Sequence, residues 1–400
     1  MAILCLGRSI KIDFAQWLAE RDQDLYLISS TPFPSQHKYR LVKRLEDLDA
    51  DSQAEITALD FAASTRFSRI LPHSEFDLIR AARLREHLGV PGQSLESAIA
   101  YRDKVVMKEH MNRADIPVAH FKRLRSSLDV VEFIERHGYP SVIKPVDGCS
   151  SKDIQVIKSR SDLAALFHKP TLDGYMIESF VEGRMFHVNG VLTAEGRTFF
   201  APCAYINGSL DFQRAGTFGS RTLEPGTPIA RRLIEFTRKV IAALPETSPL
   251  GFHAEIFQTP DDRLVLCEIA ARTAGSLTGE LIELSYGINI HKAWIRACAG
   301  IEDELPIGRS PTCVAASIRV PVRDDRLVKI PASLPFDWVS TLCITGMEGL
   351  AYQPAQTYTD DVLSAILVGD SDEQLLERID TFHDWLNDSV LWESAKLTSR

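Results

Sequence analysis

Apolar runs broken by glycine, proline and polar clusters alternate with stretches of helical spacing at the start of the chain. "AILCLG" (Ala2–Gly7) reads as a buried strand. Ile10, Phe14, Trp17 and Leu18 then recur at helical spacing as far as Glu20. "DLYLISS" is a second strand, closed by the breaker-rich "TPFPSQ". Strand, helix, strand in this order predicts a βαβ layer with a parallel sheet. "LGVPGQS" (Leu88–Ser94) marks a boundary. Beyond it, "YRDKVVMKEHMNRADIP" predicts a helix that ends before Pro117. "SSLDVVEFIERHGYP" predicts a helix capped by Ser126 or Ser127 and stopped at Gly138. The short strands "SVIKP", "DIQVIK", "YMIESFV", "HVNGVLT" and "TFFAPCAY" predict a mixed α+β region with hairpins. "RRLIEFTRKVIAAL" is an amphipathic helix. The C-terminal part mixes strands ("VAASIRVPV", "VLSAILVG") with a helix near "DEQLLERIDTFHDWL". The pattern is α/β followed by α+β, with no internal repeat.

Composition narrows the function classes. The 400 residues suggest about two or three domains. A hydrophobic content of 45% and a charged content of 25% fit an ordinary globular chain. The formal charge of -9 argues against nucleic acid as a partner, because phosphate backbones are bound by clustered positive charge. The 7 cysteines are scattered, with no C-x-x-C pair and no zinc spacing. No run is long enough to span a membrane, and "MAILCLGRSIK" lacks the order of a secretory signal. The expectation is a cytoplasmic protein. A nicotinamide or flavin site in the first layer is disfavoured, since "CLGRSI" lacks G-x-G-x-x-G.

Two stretches carry candidate chemistry. "FHAEIFQ" and "RLVLCEIAA" flank the turn "TPDD". A hairpin with Thr259 opposite Leu264 would set Glu255 directly across from Glu268. Opposed side chains have Cβ atoms about 4.5–5.5 Å apart, and like charges there repel. Two such carboxylates need a cation or a proton between them, and a hard cation such as Mg²⁺ suits them. His253, opposite Ala270, and Arg272 project to the same face. The plain alternative is a solvated hairpin edge whose glutamates pair with lysines. The second stretch, "SVIKPVDGCSSKDIQVI", is a strand, Lys144, a small-residue loop and another strand. Such a loop exposes N–H groups and hydroxyls that cradle phosphate, with Lys144 as a point charge. Here the alternative is an ordinary hairpin loop; G-x-x-x-x-G-K-[ST] is absent.

The order of these features resembles the ATP-grasp superfamily: a lysine in "RDKVVMKEHM", Lys144 with its loop, "YMIESFVEGRMFHVNGVL", Glu255, then "CEIAAR". Within it, the chain is most similar to carboxylate–amine ligases of the dipeptide (L-amino acid) ligase type, from about Tyr101 to Gly300. The resemblance implies an ATP-grasp fold with an N-terminal Rossmann-like (pre-ATP-grasp) domain over 1–95. A small lid subdomain follows over 96–182, a central catalytic subdomain over 183–305 and a C-terminal lobe over 306–400. It implies ATP as a substrate and Mg²⁺ as the metal, with Mn²⁺ an acceptable replacement. Lys104 and Lys144 match the ATP lysines, and Ser150 and Ser151 the loop over the β- and γ-phosphates. Glu178, Phe180 and Val181 match the strand bordering adenine. Glu255 and Glu268 match the metal ligands, and Arg272 the arginine that stabilises charge during transfer.

Three departures stand out. Asp153 replaces a usual glycine. Met185 replaces the ribose carboxylate; either Glu182 substitutes for it or the contact is missing. Ala270 replaces a second-metal asparagine, as in the dipeptide-ligase branch. The implied reaction activates a carboxylate as an acyl phosphate and lets an amine attack it, releasing ADP and phosphate. The alternatives are an ATP-grasp carboxylase or purine-pathway type of enzyme, and a non-catalytic ATP-binding protein. Small-molecule carboxylates and amines are the implied partners, and the resemblance admits a homodimer. His253 either contacts a substrate carboxylate or helps deprotonate the amine, or else packs beside the metal strand. Arg214 and Arg221, in the loop Tyr205–Gly226, are candidates to hold a substrate carboxylate, against an ordinary exposed loop. The amides near Gly275 and Ser276, before a helix, suit an anionic group.

Overall fold

The structure, a computed structural model, describes residues 1–8, 12–32, 35–48, 52–166, 171–208, 216–357 and 359–394. The first layer is a parallel sheet of β1 (Ala2–Gly7), β2 (Leu25–Ser29), β3 (Leu41–Arg44) and β4 (Phe67–Pro72), in the order β3-β2-β1-β4. All of β1 is buried, which is why its sequence is a continuous apolar run rather than an alternating one. Helices α1 (Phe14–Trp17), α2 (Gln53–Ala62) and α3 (Leu78–Leu88) accompany it. The first helix is shorter than its periodicity predicts. Asp13 caps it by accepting from Gln16 N, and the chain tightens into a 3-10 turn at Ala19–Arg21.

The single helix expected after the boundary is two: α4 (Leu95–Arg102) and α5 (Lys104–Arg113). Asp103 separates them. Its backbone is extended, and its side chain accepts from Val105 N and Val106 N while Arg123 holds both carboxylate oxygens. An N-cap aspartate in mid-pattern thus restarts the helix and fixes Lys104 as the first residue of α5.

The small sheet consists of β5 (Phe121–Arg123), β6 (Ser141–Pro145), β7 (Gln155–Ile157) and β8 (Tyr175–Ser179), in the order β5-β8-β6-β7. It packs with α6 (Ser127–His137) and α7 (Arg160–Leu166). Helix α6 begins with a capping box of Ser126 and Asp129 and ends at Gly138, as the sequence predicts.

The large sheet has 8 strands in the order β13-β12-β9-β10-β11-β14-β17-β16. They are β9 (Arg184–Leu192), β10 (Thr198–Tyr205), β11 (Phe218–Thr222), β12 (Leu250–Gln258), β13 (Leu264–Ala270), β14 (Val314–Pro321), β16 (Val339–Ile344) and β17 (Asp361–Gly369). Strands β15 (Arg326–Lys329) and β18 (Leu391–Glu393) pair separately. The sheet therefore carries strands from both the 183–305 and the 306–400 segments. Helix α8 (Pro228–Ala243) joins a core with Phe186 and Phe252, α9 (Thr278–Tyr286) lies against β11 and β14, and α10 (Ile290–Cys298) joins the core of the first layer. Helix α11 (Asp372–Ser389) packs on β14 and β17 through Leu375, Ile379, Phe382 and Leu386. No helix among the described residues is long and apolar enough to cross a membrane.

Candidate active site

The hairpin β12–β13 delivers the two carboxylates. Glu255 pairs with Glu268 and His253 with Ala270, as the sequence predicts. The turn does not follow the prediction: Gln258, not Thr259, faces Leu264, and Thr259 N donates to Arg263 O. The one-residue difference is absorbed by a bulge, because β13 carries Cys267 as an extra residue between the pairs Glu255–Glu268 and Ile256–Leu266. Gly183 is required at the same end of the hairpin. Its φ is 151°, and a Cβ there would collide with Gln258 O.

Around the glutamates the charges are mutually paired. Lys104 Nζ lies 3.0 Å from Glu268 Oε2 and donates to Gly148 O at 2.7 Å. Burial pushes the Glu268 carboxyl up, but Lys104 and Lys144 overcome it and hold it down at about 2. Lys144 Nζ lies 2.6 Å from Glu178 Oε1, and Lys108 Nζ lies 3.2 Å from Glu178 Oε2. All three are buried. Burial works against the Glu178 and Lys144 charges, yet the two lysines hold the Glu178 carboxyl low and Glu178 holds Lys144 charged. Glu178 is thus the side chain that clamps two lysines.

Arg272 Nη2 is 2.5 Å from Glu75 Oε1, and Arg102 Nη1 is 3.0 Å from Glu75 Oε2. Glu75 lies in a 3-10 turn of the N-terminal layer. Burial pushes its carboxyl up, but the two guanidiniums bring it below the ordinary value.

Tyr205 Oη donates to Glu255 Oε1 at 2.5 Å, and His253 Nε2 faces the same oxygen at 3.4 Å. Asn189 Oδ1 accepts from His253 Nδ1 at 2.8 Å. Both ring nitrogens of His253 therefore face partners. Glu255 meets Tyr205 and His253 through Oε1, and Glu268 meets Lys104 through Oε2.

One cavity of about 1550 Å³ collects these groups. It is lined by Lys104, Lys144, Ser150, Ser151, Glu178, His253, Glu255, Glu268 and Arg272. Phe180, Val181, Glu182, Arg221, Gly275 and Ser276 line it too. Arg214 lies outside the described residues. The small-residue loop joins β6 to β7, which pair antiparallel. Ser150, Ser151 and Asp153 have φ of 56°, 57° and 58°. Asp153 thus occupies the left-handed conformation that a glycine adopts freely, and aspartate is among the few other residues that tolerate it. Met185 is buried opposite Phe257, and Glu182 is exposed at the cavity. Arg221 pairs with Asp372 at 2.8 Å, and Ser276 accepts from Arg319 Nε at 2.8 Å. Gly275 and Ser276 precede α9.

Lys108, Glu75, Tyr205, Asn189 and the α11 residues on the cavity escaped the sequence reading. Lys108 alone carried a signal, being four residues from Lys104 on a helix and so on the same face.

The donor set fits a hard divalent cation. Two opposed carboxylates at the cavity supply anionic oxygens and leave the remaining ligands to phosphate and water. Among the described residues no group of three or more His, Cys, Asp or Glu forms a closed metal cage.

A family model described as an ATP-grasp domain matches residues 101–276. An L-arginine-specific L-amino acid ligase of Bacillus subtilis is 26% identical over 232 residues, 56% of each chain. The chain thus spans about half the length of that curated relative. The solved L-amino acid ligase of Bacillus licheniformis superposes with a TM-score of 0.77 at 17% identity, covering 98% of both chains. A phosphoribosylglycinamide synthetase of Anaerococcus prevotii gives 0.67 at 14% identity, covering 98% of this chain and 99% of that one. Residues 101–276 thus match an ATP-grasp domain, and the chain has the ATP-grasp fold.

Proposed function

We propose that the protein is an ATP-dependent carboxylate–amine ligase that activates an amino acid as an acyl phosphate and joins it to an amine, releasing ADP and phosphate. The observation that carries this reading is the register that sets Glu255 against Glu268 in a cavity shared with Lys104, Lys144 and Arg272. The kinship with an L-amino acid ligase supports it.

Glu255 and Glu268 would hold Mg²⁺, or Mn²⁺ in its place. Bound there, the metal neutralises phosphate charge. Lys104 and Lys144 supply fixed positive charge for the phosphates. Ser150 and Ser151, on a loop with three left-handed residues, offer N–H and hydroxyl donors to the same oxygens. Phe180, Val181 and Glu182 border the base and ribose. Arg272, held by Glu75, stabilises charge as the phosphoryl group moves and on the oxyanion that follows; its planar fork suits both. His253 and Tyr205 fix the orientation of Glu255. The small sheet, closing as a lid, excludes water from the acyl phosphate.

In this division of labour residues 1–95 supply Glu75, 96–182 the lid, 183–305 the hairpin and 306–400 a wall of the cavity. The last two share one sheet. The cytoplasm is the proposed compartment, in keeping with 7 cysteines that are all free thiols. A homodimer is the proposed assembly, checked by light scattering.

The test is ADP release with ATP, Mg²⁺ and a panel of amino acids. ADP that appears only with a pair of amino acids, together with a dipeptide mass, supports the ligase. ADP with bicarbonate alone, or no ADP at all, overturns it.

A further inference from the structure

Helix α11 lies far from the hairpin in sequence, yet Leu376, Ile379, Asp380 and His383 line the same cavity. Their spacing is i, i+3, i+4, i+7, which is a single stripe along a helix. The adjoining stripe of Leu375, Phe382 and Leu386 is buried in the core that contains β14 and β17, and Ile379 belongs to both. Rolling the helix would expose that core, so the cavity-facing stripe is fixed.

Neighbouring groups decide its charge. Arg221 Nη1 lies 2.8 Å from Asp372 Oδ1, and the two cancel. His383 Nε2 meets Thr217 Oγ1 at 3.1 Å. Burial lowers the His383 pKa despite the opposing pull of Asp380 and Asp384, so the ring is neutral near pH 7. Asp380 is exposed at the rim and makes no hydrogen bond or ion pair with the described residues. The wall is therefore aliphatic, with Leu376 45% exposed, and ends in one carboxylate without a counter-ion among those residues.

We infer that this wall is the side-chain pocket for an amino acid with a cationic side chain. The methylenes lie along Leu376, with Ile379 buried behind it, and the ammonium or guanidinium meets Asp380. An aliphatic stem under a charged head is the shape of lysine, ornithine and arginine, whose stems pack on apolar surface while the head seeks charge. The inference rests on the amino-acid ligase reading.

The test compares kcat/KM for lysine against norleucine, and for arginine against citrulline, by ADP release with ATP, Mg²⁺ and partner amino acids. The wild type should favour the charged member of each pair by about tenfold or more, as a charge pair in a shielded site allows. Asp380→Asn should bring the ratio to about one, and Asp380→Lys should turn the preference toward glutamate. A wild type that ligates amino acids without this preference, or an Asp380→Asn variant that keeps it, overturns the pocket and leaves the ligase standing. Absence of ADP with every amino-acid pair overturns the ligase reading, and the pocket with it.

Discussion

At the hairpin end of the cavity the charged groups partner one another: Lys104 with Glu268, Lys144 and Lys108 with Glu178, Arg272 and Arg102 with Glu75. At the α11 end Leu376 and Asp380 are exposed, His383 is half-buried and Ile379 is buried; Arg221 pairs with Asp372, and Asp380 faces the rim. The first end is set by strand register and buried pairs, so its geometry is rigid and its loss costly. The second is set by one stripe of a helix, in which Leu376, Asp380 and His383 lie outside the core and can change without touching the sheet, while Ile379 anchors the stripe. Transfer chemistry needs fixed charge, while selecting a side chain needs only a shaped, exchangeable surface. In the proposed ligase the fold separates these demands.

The sharpest way to break this contrast is at the hairpin. Glu268→Gln should lower kcat by about a thousandfold, the scale of removing a group that stabilises transfer charge. Circular dichroism should show the fold intact. Arg272→Ala should cost on the order of a hundredfold in kcat while the KM for ATP changes little; near-normal turnover would remove Arg272 from the mechanism. Glu178→Ala should destabilise the protein by about 3–5 kcal/mol, because it leaves two buried lysines without their counter-ion. Urea unfolding measures it, and a loss below about 1 kcal/mol would contradict the clamp.

The buried carboxylates also make the fold sensitive to acid. Glu75, Glu178 and Glu268 all ionise more readily in the folded chain than ordinary glutamate. Their stabilisation is present above the ordinary glutamate value and is lost as pH falls through the folded values, which for Glu268 is about 2. The melting temperature should fall steadily as pH drops below about 4.5. The smallest effect belongs to the surface: Arg232→Ala, which loses the exposed pair with Asp262, should cost under about 1 kcal/mol.

The same contrast explains what the sequence made legible. The opposition of Glu255 and Glu268 can be read because pairing on a hairpin is local. Even so, the turn and the bulge at Cys267 shift the register in opposite senses, and the pairing emerges from their cancellation. Caps were legible where they stand at the ends of a pattern, as at Ser126 and Gly138, and not where Asp103 interrupts one. Glu75 reaches Arg272 across 197 positions of chain, and α11 meets the cavity only through the packing of the large sheet. Neither leaves a periodic or spacing signal, because each contact depends on how the layers assemble.

The proposed ligation requires that the opposed carboxylates hold the metal that serves the nucleotide. Manganese binding in the presence of ADP, followed by electron paramagnetic resonance, tests this directly. The wild type should retain nucleotide-dependent Mn²⁺, and Glu255→Gln and Glu268→Gln should each weaken it by at least about tenfold. Equal Mn²⁺ binding in the wild type and both variants would remove Glu255 and Glu268 as the metal ligands.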